Sequence, residues 1–558
     1  MSEAVRTDPP APAGTARPRE PASPLRATVG EPALLPLPRG PLQVPVRARP
    51  PEAATAPEAA PAPEVEPEGL SLADLQAAMA KEAAGAAEEA PEGEEAPAAA
   101  PASGEKASPP PAGEEELERE YFGVALTEDE VIFSRARTSA EDLGLFGSMR
   151  RPLADQGWAG RAEAERRLLA RVDAIAACGE KVLPRLIGML EERPVPDASL
   201  TWALLFLLGS LAGDDAADEA MRLAHAAPLD GDGMVEALAD ALALAPHPAL
   251  SARIAPWLSA PEPERRVVAV VALSRRGTLE TAQAAAAAGD PDARVAAAGA
   301  AALATSTGAV EAALLLRLVR SADEAVARAA LESALVRRSE LALRRARELA
   351  AEKRGDFAGA ALVLGVAGTA EDLPVLRAAC AAGSPLAMEA LGWLGHADAV
   401  DDLLGQLGKS SAPAALGALQ RITGATLLEA DPAPEYEPGK GPFTQGQGPV
   451  PLPVPLSPDP EAWRAWWTEH GKAARRGIRW RFGHPWSPAD DLGEIELAVS
   501  TRGPRRLAFL ELCARTGASA PLDLDAFIPR QRRELAAWAE LAGRARVAPG
   551  TWPVKLGK

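Results

Sequence analysis

Large phenyl rings are scarce in this sequence, with two tyrosines and nine phenylalanines in 558 residues. That scarcity excludes a core filled by such rings. It leaves one of Ala, Leu and Val, in which helix axes approach toward the close end of the ~8–10 Å range. Cysteine is nearly absent: Cys178, Cys380 and Cys513 stand alone. This excludes a disulfide framework and fits buried thiols in a reducing compartment. The five histidines, His225, His247, His396, His470 and His484, are scattered. None is paired at i, i+4 and none lies near a cysteine, so no metal centre is expected. The longest strongly apolar run, Ala203 to Ala212, is about half the ~20 residues a membrane span requires. The amino terminus lacks a signal-peptide core, so cytoplasmic residence is the expectation.

Motifs for chemistry are equally thin. Asp230-Gly231-Asp232-Gly233 lacks the third acidic position and the distant glutamate of a calcium loop, and reads as a turn before a helix at Met234. Gly439, Gly441, Gly446 and Gly448 have no following Lys-Ser/Thr, so they make no phosphate loop. Asp214, Asp215, Asp218 and Glu219 fall at an inter-helix turn and read as capping and solvating residues. No catalytic, cofactor-binding or metal-binding residue emerges, and no cofactor is expected.

What is present is an internal period. Equivalent apolar positions at Trp202, Val235, Val267, Val295, Val326, Phe357, Leu386 and Ala414 are separated by 33, 32, 28, 31, 31, 29 and 28 residues. A period near 30 with two short helices per unit predicts an all-α fold, an α-solenoid. Asp290 caps one unit ahead of Pro291, with Val295, Gly299, Ala302 and Leu303 on its buried face. The next opens with a capping box, Ser321 and Glu324, and buries Val326, Ala329, Ala330 and Leu335. Runs such as Ala284 to Ala288 supply the small residues that bring helices close.

Composition divides the chain. Residues 1–115 form a Pro/Ala/Glu-rich tail, read as disordered because it cannot bury enough apolar surface to offset its ordering entropy; 23 of the 54 prolines lie in its first 111 residues. Its charge is polarised, +3 over residues 1–50 and −15 over residues 51–120. Ser71 to Ala84 inside it reads as a helical island. Residues 116–200 form an N-terminal helical cap and first repeat helices, with a helical pair over Arg161 to Glu192. Residues 201–424 hold the repeat array, and residues 425–457 a Pro/Gly-rich connector.

Residues 458–558 differ chemically, with a net charge of +5 and seven of the eleven tryptophans. Asp459 caps a helix with Pro460 in its first turn, Trp463, Trp466 and Trp467 on one face, and Gly471 as its stop. The stretch from Arg475 to Phe482 alternates basic and apolar residues and reads as a short strand. Two readings stand for this cluster. In one, the tryptophans pack a cap that closes the last repeat, covered by arginine stems. In the other, Arg475, Arg476, Arg479, Trp480 and Arg481 form a partner-binding surface for an acidic protein or nucleic acid.

Five motifs here carry a resemblance: Ile422-Thr423-Gly424-Ala425-Thr426-Leu427; Pro458 to Trp467; Phe482-Gly483-His484-Pro485; Arg502-Gly503-Pro504-Arg505-Arg506-Leu507; and Pro529 to Leu535. In order and spacing, residues 415–540 resemble the end of a family of bacterial HEAT-repeat proteins. That family is known mainly from proteobacteria, is multiplied in myxobacteria, and is sometimes encoded near type VI secretion genes. The resemblance implies an α-solenoid of HEAT-like two-helix repeats with a helical C-terminal cap; it supplies no catalytic residue. The function expected is a non-catalytic protein-interaction scaffold, with a secretion-apparatus component as a partner the resemblance implies. The alternative is a HEAT-like protein directed at nucleic acid, such as a DNA glycosylase, or a bilin-lyase-like enzyme. The −12 charge of residues 121–457 disfavours a nucleic-acid duplex along the array.

Overall fold

The computed structural model describes residues 127–150, 161–428, 456–474, 477–496, 502–552 and 554–557. The expectations for the tail and its helical island lie outside the described residues, as do Arg475, Arg476 and most of the connector.

The chain forms helices where caps and apolar stripes coincide. The first are α1 (Glu128–Arg150), α2 (Arg161–Ala177), α3 (Val182–Glu191), α4 (Ala198–Leu208), α5 (Asp214–Ala226) and α6 (Met234–Leu244). There follow α7 (Leu250–Ile254), α8 (Pro263–Arg275), α9 (Thr281–Ala288), α10 (Ala293–Ala302), α11 (Ala312–Val319) and α12 (Glu324–Val336). The repeats continue through α13 (Glu340–Ala351), α14 (Ala360–Ala367), α15 (Leu373–Ala381), α16 (Pro385–Leu394), α17 (Val400–Leu404) and α18 (Ala412–Thr423). The C-terminal module holds α19 (Pro460–His470), a two-residue hairpin of β1 (Trp480–Arg481) and β2 (His484–Pro485), α20 (Pro488–Glu496), α21 (Arg502–Thr516) and α22 (Ile528–Ala545).

The 30-residue period corresponds to a stack. In a first row, α4, α6, α8, α10, α12, α14, α16 and α18 each pack on the next, with α1 ahead of them against α4. Seven of the eight equivalent positions fall in the first turns of those helices, and Phe357 just before α14. A second row of helices, α5, α7, α9, α11, α13, α15 and α17, alternates with the first along the chain. All-α helical repeats are thus what the sequence period encodes.

Two caps differ from expectation. Asp292, not Asp290, caps α10, accepting from the Arg294 and Val295 N–H groups at 2.9 and 3.4 Å. Asp290 is drawn away by Arg266 of α8, 2.9 Å from it, and accepts from the Asp292 N–H. At α12, Asp323 accepts from the Val326 N–H at 3.0 Å, while Ser321 accepts from the Asp323 N–H. A carboxylate two residues beyond the hydroxyl is the stronger acceptor for a positive helix end. The predicted cap and stop of α19, Asp459 and Gly471, are as read.

Every helix ends with carbonyls that have no partner inside it. In the array, arginines of the following row helix supply one. Arg276, at the end of α8, donates to the Leu242, Ala245 and His247 carbonyls that follow or end α6. Arg337, at the end of α12, does the same for Leu303, Ser306 and Gly308 beyond α10. Further along, the hairpin takes over with its backbone. The Trp480 N–H donates to the Gly395 carbonyl at 2.7 Å, and the Phe482 and Gly483 N–H groups to Arg421 and Ile422 at 2.7 and 3.1 Å. Gly395 and Gly424 end α16 and α18 in the left-handed region, φ 70° at both. A Cβ would lie 2.2 Å from the Trp480 carbonyl oxygen at Gly395 and 2.4 Å from that of Phe482 at Gly424. Glycine is required there twice over, by backbone angle and by the hairpin.

The connector's ends also meet. Leu428 bridges Leu456, and the Ser457 N–H donates to the Leu427 carbonyl at 2.7 Å.

Gly395→Ala and Gly424→Ala are each expected to cost at least about 2 kcal/mol, combining left-handed strain with a backbone clash. Gly383→Ala, at φ 90° with nothing within 4 Å of the added carbon, should cost about 1 kcal/mol. Urea melts of the three variants check this; equal losses would remove the hairpin contact as a cause.

Candidate functional site

Within the Trp/Arg cluster singled out in the sequence, Trp463, Arg479, Trp480, Arg481 and Trp486 belong to the interior. Arg479 and Arg481 are 0% exposed and Trp480 is 9% exposed, so the surface role expected for these three is corrected: each side chain has its partners within the chain. The physical reason lies in the helices they meet. Arg479 donates to the Leu394 and Trp393 carbonyls at the end of α16, at 3.2 and 2.6 Å, and to Gly365 in α14. Arg481 donates to Trp393 at 3.2 Å, and Arg515, from α21, to Gly368 just beyond α14 at 3.0 Å. The negative ends of two row helices therefore face three guanidinium groups.

Glu511 of α21 lies at the centre. It pairs with Arg479, with Arg481 at 2.8 Å and with Arg515 at 3.2 Å, all fully buried. Asp491 of α20 lies 3.5 Å from Arg481 and accepts from the Trp486 indole N–H at 3.2 Å. Burial pushes the Glu511 carboxyl up, and the three arginines more than reverse it, so it sits below its ordinary value. Burial and the nearby Glu511 charge push Asp491 the other way, well above its ordinary value. Two tryptophans complete the layering. Arg421 and Arg481 lie over the Trp393 ring at 3.8 and 4.5 Å, and Arg479 and Arg515 over Trp486 at 4.8 and 5.6 Å.

A second buried network joins the module to the start of the array. Asp240 of α6 pairs with Arg150 at 3.0 Å and Arg275 at 2.6 Å, and accepts from the Trp202 indole at 2.9 Å. Both arginines also donate to the Asp525 carbonyl, and Arg275 pairs with Asp523 at 3.0 Å. Phe527 stacks on Phe206 of α4 at 5.9 Å. Close by, buried Glu165 of α2 accepts from the Ile528 N–H, the first residue of α22, at 2.9 Å. Burial raises its carboxyl to about 7 against the pull of that hydrogen bond, Arg150 and Arg532.

The module thus lies along the array rather than beyond its last repeat: α21 packs on α12 and α14, and α22 reaches α2. Glu511, Arg515, Asp491 and Asp240 were missed in the sequence. The signal was a lone acid inside an apolar run, as in Leu510-Glu511-Leu512-Cys513-Ala514, followed by an arginine at i+4.

The other sequence candidates are structural. Cys380 and Cys513 are buried, their thiols pushed up by burial to about 11 and about 12. Among the described residues no group of three or more His, Cys, Asp or Glu side chains is placed to hold a metal ion. Nor is any helix among them long and apolar enough to cross a membrane. No protein-family model matches the chain, and no curated protein proves similar to it.

Glu511→Gln removes the negative charge shared by three buried guanidinium groups and is expected to cost about 3–5 kcal/mol. Glu540→Gln, in a pair whose side chains are 74% and 71% exposed, should stay within about 0.5 kcal/mol. Comparable melting of the two variants would refute the central role of Glu511. Glu165 carries a pH signature. Its folded value, about 7, exceeds the ordinary glutamate value of about 4.5, so between those limits the native chain holds a proton the unfolded chain has released. Stability from this site is therefore lost as pH rises from about 4.5 to 7, by up to about 3 kcal/mol. The Glu165→Gln variant should lack that slope and melt higher than the parent at pH 8. Parallel pH profiles of parent and variant would disprove it. Comparison with the variant also cancels buried His396, whose imidazole burial lowers and which destabilises in the opposite, acid direction.

Proposed function

We propose that this chain is a non-catalytic scaffold of the cytoplasm that holds a protein partner on the second row of its helical array. One observation carries the reading: the C-terminal ends of α14, α16 and α18 are taken up by the chain's own C-terminal module, bonded through Arg479, Arg481, Arg515 and the hairpin backbone. Among the described residues the module meets the second row where α19 packs on α17 and where the Gly557 carbonyl accepts from the Glu340 N–H at the start of α13; α5, α9, α11 and α15 keep exposed faces, and helical arrays bind through extended faces of this kind. The nucleic-acid alternative drew on Arg475, Arg476, Arg479, Trp480 and Arg481; the last three are buried and the first two lie outside the described residues, so the described residues lend it no support. A secretion-apparatus component stays within the proposal as the partner class that the resemblance over residues 415–540 implies.

The test is affinity capture with the full chain, with and without nuclease, followed by hydrogen exchange of the recovered complex. A protein recovered regardless of nuclease should slow exchange in α5, α9, α11, α13 and α15 and leave residues 477–552 unchanged. Recovery abolished by nuclease, or protection confined to the module, would overturn the reading.

A further inference from the structure

Neighbouring helices of the second row touch at several steps: α5 with α7, α11 with α13, α13 with α15 and α15 with α17. Between α9 and α11 a groove of about 700 Å³ opens to solvent instead. Its cause is local. α9 reads Thr-Ala-Gln followed by five alanines, so it has almost no long side chain to reach across. Gly299 of α10 lets it sink inward, because a Cβ there would lie 2.2 Å from the Ala288 backbone nitrogen. The two walls run in the same direction. Gly308, ahead of α11, donates to Thr281 at the start of α9, and Arg317 in the last turn of α11 reaches Gly289 at the end of α9.

The walls are apolar and the ends are charged. Ala282, Ala286 and Ala313 are exposed and Leu314 half-buried, while Glu311 marks one end and Arg317 the other. Neither charged side chain has an ion-pair partner among the described residues. Six residues of helix separate the two, about 9 Å along the axis, close to the ~10.5 Å between positions i and i+7 of an incoming helix. A helix favours acids in its first turn and bases in its last. An occupant that places its acid on Arg317 and its base on Glu311 therefore runs antiparallel to both walls.

We propose that this groove receives one amphipathic helix of a partner protein, lying antiparallel to α9 and α11. It presents an acid at i to Arg317, leucine-sized residues at i+3 and i+4 to the alanine walls, and a base at i+7 to Glu311. The inference rests on the scaffold reading and names the partner's chemistry.

The probe is a labelled helical peptide of about fifteen residues, long enough to hold helix, with Glu, Leu, Leu and Lys at those four positions. Fluorescence anisotropy against the full chain at low salt is expected to show saturable binding near a Kd of about 10 μM. Ala286→Arg, on an exposed position, should weaken it about tenfold or more. Arg317→Glu should weaken it too, with recovery when the peptide's Glu is replaced by Lys; unchanged melting confirms that both variants fold. Absence of saturable binding, or binding indifferent to Ala286→Arg, overturns the assignment. Self-association in sedimentation that Ala286→Arg abolishes would also overturn it, giving the groove to a second copy of the chain. A natural partner that protects the second row yet survives Ala286→Arg removes the groove and leaves the scaffold. Protection confined to the module removes the scaffold instead.

Discussion

Unsatisfied carbonyls at helix ends are the constraint on which this structure turns. A stack of row helices brings many such ends to one side, each with a partial negative charge and no internal partner. Arg276 and Arg337 answer it within the repeats. Arg479, Arg481 and Arg515 answer it from the module, with backbone amides of the hairpin alongside. The module's +5 charge then has a local meaning: much of it faces helix ends and buried carboxylates rather than water.

Burying that much charge is costly, and the cost decides how the module is held. Three guanidinium groups against one carboxylate below its ordinary value and another above it leave excess positive charge, which carbonyl dipoles and the Trp393 and Trp486 rings offset. Such networks add little over a well-packed apolar core, but losing one member strands the others. They specify one register of module on array. The second network, around Asp240, repeats the arrangement at the far end with an indole, two arginines and a carbonyl.

The period of the repeats was legible because stacked helix pairs must bury an apolar stripe at each step, and Trp202 through Ala414 mark those steps. Caps were legible to within two residues. Asp290 gave way to Asp292 and Ser321 to Asp323, because the choice between adjacent acceptors depends on a neighbour such as Arg266, remote in sequence. The candidate cluster was legible in position, and of its two readings the exposed one fails for Arg479, Trp480 and Arg481. Alternating Arg and Trp looks alike on a surface or inside, and what distinguishes them, Glu511 and the ends of α14 and α16, lies 30 or more residues from Arg481. The α9–α11 groove left no mark in the period, since it depends on Gly299 admitting Ala288.

The pairing of Arg150 with the Asp525 carbonyl spans 375 residues, and this has a consequence for biosynthesis. The ribosome delivers the first helices long before the segment that completes them. At ~5–20 residues per second the nascent array waits tens of seconds with Asp240, Glu165 and a row of helix ends still wet. Early repeats can stack on their neighbours in that interval, but their arginines and acids lose contact with water only when the last tenth of the chain emerges. A truncated product that ends before α21 would be a helical array with its charged seam open, a state that chaperones and proteases can distinguish from the finished protein.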